Sequence, residues 1–509
     1  MLLRSRAALL AGVCCLAVTG PAAAETLTDA LTMAYQSNPQ LQTRRAQLRA
    51  LDESYVQARA GYRPVATFDS STTLFDATYN RPSPGGRTGD DLTRGPETLG
   101  LSATAAQPLY TGGRVTAQVR EVEANILSGR EQLRALENDV FAAVIQAYVD
   151  VRRDQESLII RQNNVDVLRR QLEETRARFE VGEITRTDVA QGEARLAAAQ
   201  AVLAQQQAQL ATSRANYVAL VGQSPTDLAP EPPLTLLPTS VDQAYETAQT
   251  NNPDLLAAEL TEQASRARVA RERAETRPSV RASTTAGYQR ELDFNPLDSY
   301  GASLRAGATL TLPLYRGGAT TSRIRAALQS NNADLIAIET ARRSVVQQVA
   351  QAWNALQAQR AALVSNEEQV RAARIAFEGV QAEAQAGLRT TLDVLNAASE
   401  LREAELAFTR ARRDAYVAGA SVLNAMGLLE ARYMTPGVAI YDPAASFNRI
   451  RRANSLPWEP IVEGLDRIGA PRVEPRPPLP TVTVAKRSTP AAETQASLDA
   501  LVDASLARP

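Results

Sequence analysis

No histidine occurs among the 509 residues, which removes the commonest general base and the commonest zinc ligand. The only two cysteines, Cys14 and Cys15, sit in an apolar run from Ala7 to Val18 behind Arg4 and Arg6. That run precedes Pro21 and the small residues Ala22, Ala23 and Ala24, the three-part pattern of a cleaved secretory signal over residues 1–24. Val13 stands before Cys14, where a lipidated cysteine normally follows a small residue, so the alanine site competes well with lipoprotein processing. Cleavage after Ala24 would leave no thiol, and with it no disulfide, thiolate nucleophile or cysteine metal site. An enzyme, a cofactor and a metal centre are therefore not expected. The formal charge of −1 changes little on loss of Arg4 and Arg6 and gives no reason to expect nucleic acid as a partner. No later stretch reaches about 18 consecutive apolar residues, so a membrane-spanning helix is not expected, whereas a β-barrel is allowed.

What the chain does contain is a duplication. Ser37-Asn38-Pro39 recurs as Asn251-Asn252-Pro253, and Arg63-Pro64 recurs as Arg277-Pro278 at the same separation. Further on, Pro108-Leu109-Tyr110-Thr111-Gly112-Gly113 recurs as Pro313-Leu314-Tyr315-Arg316-Gly317-Gly318. Gly182 with Gly387, Asp188-Val189 with Asp393-Val394, and Gly222 with Gly427 keep this second separation without drift. The separation shortens between residues 65 and 107, which places nine extra residues in the first half. The turn-rich stretch from Asn80 to Pro96 is the expected place. The reading is a first repeat over 25–235, a second over 236–430, and an extension over 431–509. From about residue 446 the extension is dense in proline and small polar residues and is expected to be largely disordered.

Each half predicts one order of elements: helix (26–60, 240–275), a strand pair, a very long helix (114–180, 319–385), and a shorter one (187–221, 392–426). Leu304, Ala306, Ala308, Leu310 and Leu312 alternate with Ser303, Arg305, Gly307, Thr309 and Thr311. That is the period of a strand with one apolar face. A half-buried soluble sheet gives the same pattern as a lipid-facing barrel. Two strands per half make four, too few to close alone, since about eight is the practical minimum. The long helices carry heptads: Leu328, Leu335, Val349, Leu356, Leu363 and Val370 fall on one seam, interrupted by Arg342. Ile324, Ile338, Val345, Ala352 and Val380 fill a second seam. An ordinary antiparallel coiled coil would show the same spacing.

Taken together, the duplicated order, the Pro-Leu-Tyr-x-Gly-Gly strand exits, the segment Phe179 to Val189 and its counterpart Ala386 to Leu395 resemble the TolC family of outer-membrane factors. The resemblance covers about residues 25–430. It implies a mainly α protomer with a small β part, trimerising into a 12-stranded β-barrel in outer-membrane lipid and an α-helical periplasmic tunnel. It implies a duct for type I protein secretion, small-molecule efflux, or both. A periplasmic adaptor would couple it to an inner-membrane ABC or proton-driven transporter. Asp393 matches the first of two aspartates of the family's pore constriction, and Asn396 stands where the second would be. Thr187, Asp188 and Arg389 match the network that keeps the tip closed, although a tyrosine of that network corresponds to Ala384. Gly182, Glu183, Gly387 and Leu388 match the adaptor-docking tips. By the plain physics, glycine among small residues ends one helix and Thr187 or Thr391 starts the next. The competing reading is a periplasmic coiled-coil adaptor or structural protein without a pore.

Overall fold

The computed structural model describes residues 24–73, 76–82, 88–94, 98–291, 300–386, 388–452 and 456–471. The signal segment, Gly387 and the chain beyond residue 471 fall outside these, apart from Ala24.

The Asn-Pro motifs turn out to be corners between helices. Thr26 opens α1 (Leu27–Ser37) through a reciprocal bond with Asp29, and Asn38 both ends α1 and caps α2 (Pro39–Arg59). Proline fits the first helical turn, where its missing N–H would find no partner anyway. The Asn38 side chain accepts from the Gln40 and Leu41 amides and donates to the Leu220 carbonyl at 3.1 Å. Its repeat does the same: Asn252 accepts from the Asp254 and Leu255 amides and donates to the Ala425 carbonyl at 3.0 Å. One side chain thus ties each corner to the end of a tunnel helix. The second corner joins α5 (Val241–Asn251) to α6 (Pro253–Ala274).

Six strands form among the described residues, two more than expected. β1 (Val65–Thr73), β4 (Thr98–Tyr110), β5 (Ser279–Glu291) and β6 (Tyr300–Thr311) make one antiparallel sheet in the order β1-β4-β5-β6. β2 (Asp76–Pro82) and β3 (Thr88–Arg94) pair separately as a hairpin inside the first-half insertion read as turn-rich. Their sequences lack the period-two apolar signal, so the backbone pairing alone reveals them.

Pairing in the main sheet sorts side chains by face. Phe68, Ala103, Ala286 and Leu304 lie in one row across all four strands, and Ser70, Leu101, Tyr288 and Ala302 in the row two residues on. The intervening row, on the other face, is Asp69, Ser102, Gly287 and Ser303. On that polar face Thr104 and Thr285 hydroxyls bond at 3.2 Å. Phe68 and Leu304 are 70% and 78% exposed in the single chain, so the apolar face is uncovered.

Two helices extend from the sheet side of each repeat as one antiparallel hairpin. α3 (Arg114–Glu180) and α7 (Ala319–Gln385) have 67 residues each, roughly 100 Å at 1.5 Å per residue. They return as α4 (Arg186–Val221) and α8 (Thr391–Ala425). The expected boundaries hold within a residue. Gly113 and Gly318, each at positive φ (84° and 80°), turn the chain from strand into long helix, a backbone form that glycine adopts without strain. On α7 the heptad seams pack as expected, with Ile338, Val345, Val349 and Leu356 buried. Ile336, Val364 and Ile375 on another side remain 61 to 67% exposed. Midway along α3, Phe141, Val144, Ile145 and Tyr148 form a core with Leu31 of α1 and Tyr217 of α4. The Tyr148 hydroxyl donates to the carbonyls of Glu25 and Ala229, at 2.9 and 2.6 Å.

Of the segment expected to lose order from about residue 446, the part up to residue 471 carries helices, and the rest lies outside the described residues. After α9 (Ala431–Met434) come α10 (Pro443–Arg452) and α11 (Glu459–Ile468). Phe447 of α10 meets Tyr55 edge-on at 5.0 Å. α11 is fixed by buried acids rather than an apolar run, which is why composition misleads here. Asp466 is fully buried and accepts from the amides of Thr111, Gly113 and Thr116 and from both threonine hydroxyls. It supplies the N-cap that Gly113, having no side chain, cannot give to α3. Glu459, 1% exposed, binds Arg59 at 2.7 Å and Arg63 at 3.3 Å.

Asp466→Ala would orphan two buried amides and one half-buried one and should weaken α11 docking by about 3 kcal/mol or more. Hydrogen exchange at Thr111 to Thr116 should then accelerate; unchanged exchange would show that Asp466 is not the cap. Burial pushes the Glu459 carboxyl up, but the bonds from Arg59, the Leu456 amide and Arg63 outweigh it and hold the group below 4.5. Its contribution is therefore present above pH 4.5 and lost as pH falls through the folded-state value. The same exchange should accelerate on that acid side.

Candidate functional site at the helix tips

The far ends of the two hairpins hold every residue singled out for gating and docking. At the first, α3 stops at Glu180 and Gly182 takes φ 80°, which lets the Glu183 amide reach back to the Arg178 carbonyl at 3.0 Å. The second repeats this bond from Leu388 to Glu383 at 2.9 Å. Gly387 lies outside the described residues.

Each return helix then starts with a reciprocal cap. Thr185 is the N-cap of α4, its amide and hydroxyl bonding Asp188 Oδ2 at 2.9 and 2.8 Å. Thr390 is the N-cap of α8, with Asp393 Oδ2 accepting from its amide at 3.1 Å and its hydroxyl at 2.8 Å. These threonines, not Thr187 and Thr391, begin the helices. The signal for them is legible as threonine three residues before aspartate. The Thr390 hydroxyl and amide hold the Asp393 carboxyl below its usual range, with Arg389 adding to this. The Thr185 hydroxyl and amide do the same for Asp188. Both are therefore carboxylates at neutral pH.

Within one chain Thr187, Asp188 and Arg389 do not form a single network. Arg389 bonds Glu383 of its own hairpin at 2.8 Å, Asp188 serves the Thr185 cap, and Thr187 faces solvent. Asp393 is partly exposed and Asn396, three residues on, is exposed. The two hairpins do meet. A cavity of about 240 Å³ is lined by Leu172, Thr175 and Ile184 from the first and by Thr390, Leu392 and Leu395 from the second, with Asp188 at its wall. Sequence reading had singled out none of these lining residues except Asp188. Around the tips, apolar groups stay uncovered: Val181 is 73% exposed, Leu388 77% and Leu392 47%.

A duplicated chain with one two-faced sheet at the head of hairpins of roughly 100 Å has the architecture of an outer-membrane channel-tunnel. The sequence matches the model of the outer membrane efflux protein family over residues 30–223 and 244–428, one match per repeat. The chain belongs to that family, and the protein is one of the outer membrane, extending into the periplasm. It is similar to the outer membrane efflux protein BepC of Brucella suis, 32% identical over 435 residues, covering 85% of this chain and 92% of that one. It is 28% identical over 416 residues to the outer membrane protein TolC of Vibrio cholerae, covering 80% and 91%. The fold is shared with the Campylobacter jejuni CmeC outer membrane channel at TM-score 0.69 and 13% identity, covering 84% of this chain and 89% of that one.

Proposed function

We propose that three copies of this chain close into one passive export duct across the outer membrane, and the observation that carries this is the open, two-faced sheet. Unpaired edges β1 and β6 cannot stay free under an apolar face. Two copies would supply about eight strands, whose side chains fill the interior, whereas three leave an aqueous lumen. The polar face would line that lumen and the apolar face would meet lipid.

The repeat supports a register for the closure. Gln107 pairs with Ala282 and Ala105 with Thr284 inside the chain. The repeat counterparts of these pairs are Leu312 with Phe68 and Leu310 with Ser70. Joining β6 of one copy to β1 of the next in this way keeps Leu310, Leu312 and Phe68 on the apolar face. By the same symmetry, the strand-exit turn at Gly112, covered by Ala274, Arg277 and Pro278, has its counterpart at Gly317, around which the single chain leaves open space.

At the other end, exposed Val181, Leu388 and Leu392 with Gly182, Glu183 and Gly387 form the docking tip for a periplasmic adaptor. An inner-membrane ABC or proton-driven transporter supplies the energy and selects cargo, protein or small molecule. Three Asp393 carboxylates around one axis form the constriction, with Asn396 contributing amide dipoles instead of a second charged ring. Thr187, Asp188 and Arg389 latch the tip across copies rather than within one.

Because the chain after the signal has no thiol, paired cysteines report the closure cleanly. Phe68→Cys with Leu312→Cys should give a covalent trimer under oxidation. Phe68→Cys with Thr311→Cys, whose side chains lie on opposite faces, should not, and the reverse outcome would show the register to be wrong. Two further substitutions separate constriction from docking. Asp393→Asn should largely abolish block of trimer conductance by a trivalent cation while leaving export in cells. Leu388→Asp should leave conductance intact but abolish export. If Asp393→Asn leaves block unchanged, the constriction lies elsewhere; if export survives Leu388→Asp, so does the docking site.

A further inference from the structure

α11 is apolar on the side that a helix in water keeps polar. Its inward side is Glu459, Val462 and Asp466, all buried. Val462 packs with Tyr62 and Val115, and the two acids make the bonds described above. Its outward side is Trp458, Ile461, Leu465 and Ile468, spaced three and four residues apart along one stripe, and 45 to 84% exposed. A helix pinned by buried carboxylates so that it displays tryptophan, two isoleucines and leucine has its polarity inverted relative to a soluble surface helix.

Its place in the fold identifies what covers that stripe. Gly469, at the end of α11, lies so close to the Tyr110 ring that a Cβ there would collide with the phenol. Tyr110 stands opposite Val280, which lies in line with Ala282, Ala286 and Tyr288 on the apolar face. Gln107, opposite Ala282 on the same face, donates to the Tyr62 carbonyl at 2.7 Å beside the α11 docking site. α11 therefore sits at the foot of the apolar face, outside the sheet, where strands give way to tunnel helices. Arg467, with a side chain 63% exposed, flanks the stripe. Tryptophan, branched aliphatics and a flanking arginine on a helix of this polarity are the composition of an interfacial segment.

We propose that α11 is an interfacial membrane anchor, its stripe seated among the phospholipids of the periplasmic leaflet. Each trimer then carries three such helices as a collar, joined through Asp466 to the first residues of α3 and through Glu459 to the approach to β1. The collar fixes how deep the barrel sits and couples that depth to the junction between barrel and tunnel. This inference rests on the barrel reading above, with the apolar face toward lipid.

The chain has only two tryptophans, Trp353 and Trp458, so Trp353→Phe leaves Trp458 as the sole reporter. Full-length trimers of this variant would be reconstituted into phosphatidylcholine–phosphatidylglycerol vesicles with acyl chains brominated close to the headgroup. Trp458 emission should fall several-fold relative to unbrominated vesicles and resist aqueous acrylamide. A second variant, Trp353→Phe with Trp458→Phe and Leu304→Trp, places a reporter on the apolar sheet face. Quenching at position 304 but acrylamide access at Trp458 would overturn the anchor while the barrel stands. Shielding of Trp458 from both quenchers would overturn it in favour of a neighbouring copy as the cover. Absence of lipid quenching at both positions would remove the barrel reading and the anchor with it.

Discussion

Two unpaired strand edges under an apolar face govern the rest of this structure. A sheet of four strands cannot curl far enough to satisfy β1 with β6 in one chain, and backbone groups left open in hydrocarbon cost several kcal/mol each. On the trimer reading proposed above, closure comes from other copies, and the duplication supplies the means. The contact between first and second repeat inside the chain is a template for the contact between second repeat and the next first. The exposed face of α7 follows the same logic. Ile336, Val364 and Ile375 are uncovered in the single chain, as the proposed trimer requires of a face that another copy's helix would cover.

The repeats are alike where geometry is shared and differ where the copies must be told apart. Asn38 and Asn252 make equivalent corners, and Thr185 and Thr390 make equivalent caps. The strand exits differ. Gly113 is covered by Ala470 and Pro471 and capped by Asp466, while Gly318 has open space around it. Docking of α11 on one strand exit and not on the other thus breaks the pseudo-symmetry of the two repeats.

Much of this was legible in the residues because it depends on periodicity. The heptads of α7 and the alternation from Ser303 to Leu312 are local patterns that survive without tertiary knowledge. β2 and β3 escaped because their residues carry no apolar alternation. α11 escaped for another reason: its burial is carried largely by Glu459 and Asp466, charged residues that composition assigns to solvent. At the tips, Asp188 and Asp393 stand out in the sequence, and within one chain a capping box accounts for both. The proposed gating roles would depend on how three chains converge, which no local pattern encodes. Exposed ion pairs such as Arg389 with Glu383 contribute only about 0 to 1 kcal/mol each, so a latch needs several acting across copies.

The central claim, that three chains share one barrel, is tested most directly by the mass of the detergent-extracted protein measured by native mass spectrometry. The account predicts a single species of three mature chains that survives dilution, because separation would reopen three pairs of strand edges. A monomer or dimer as the stable species would contradict it.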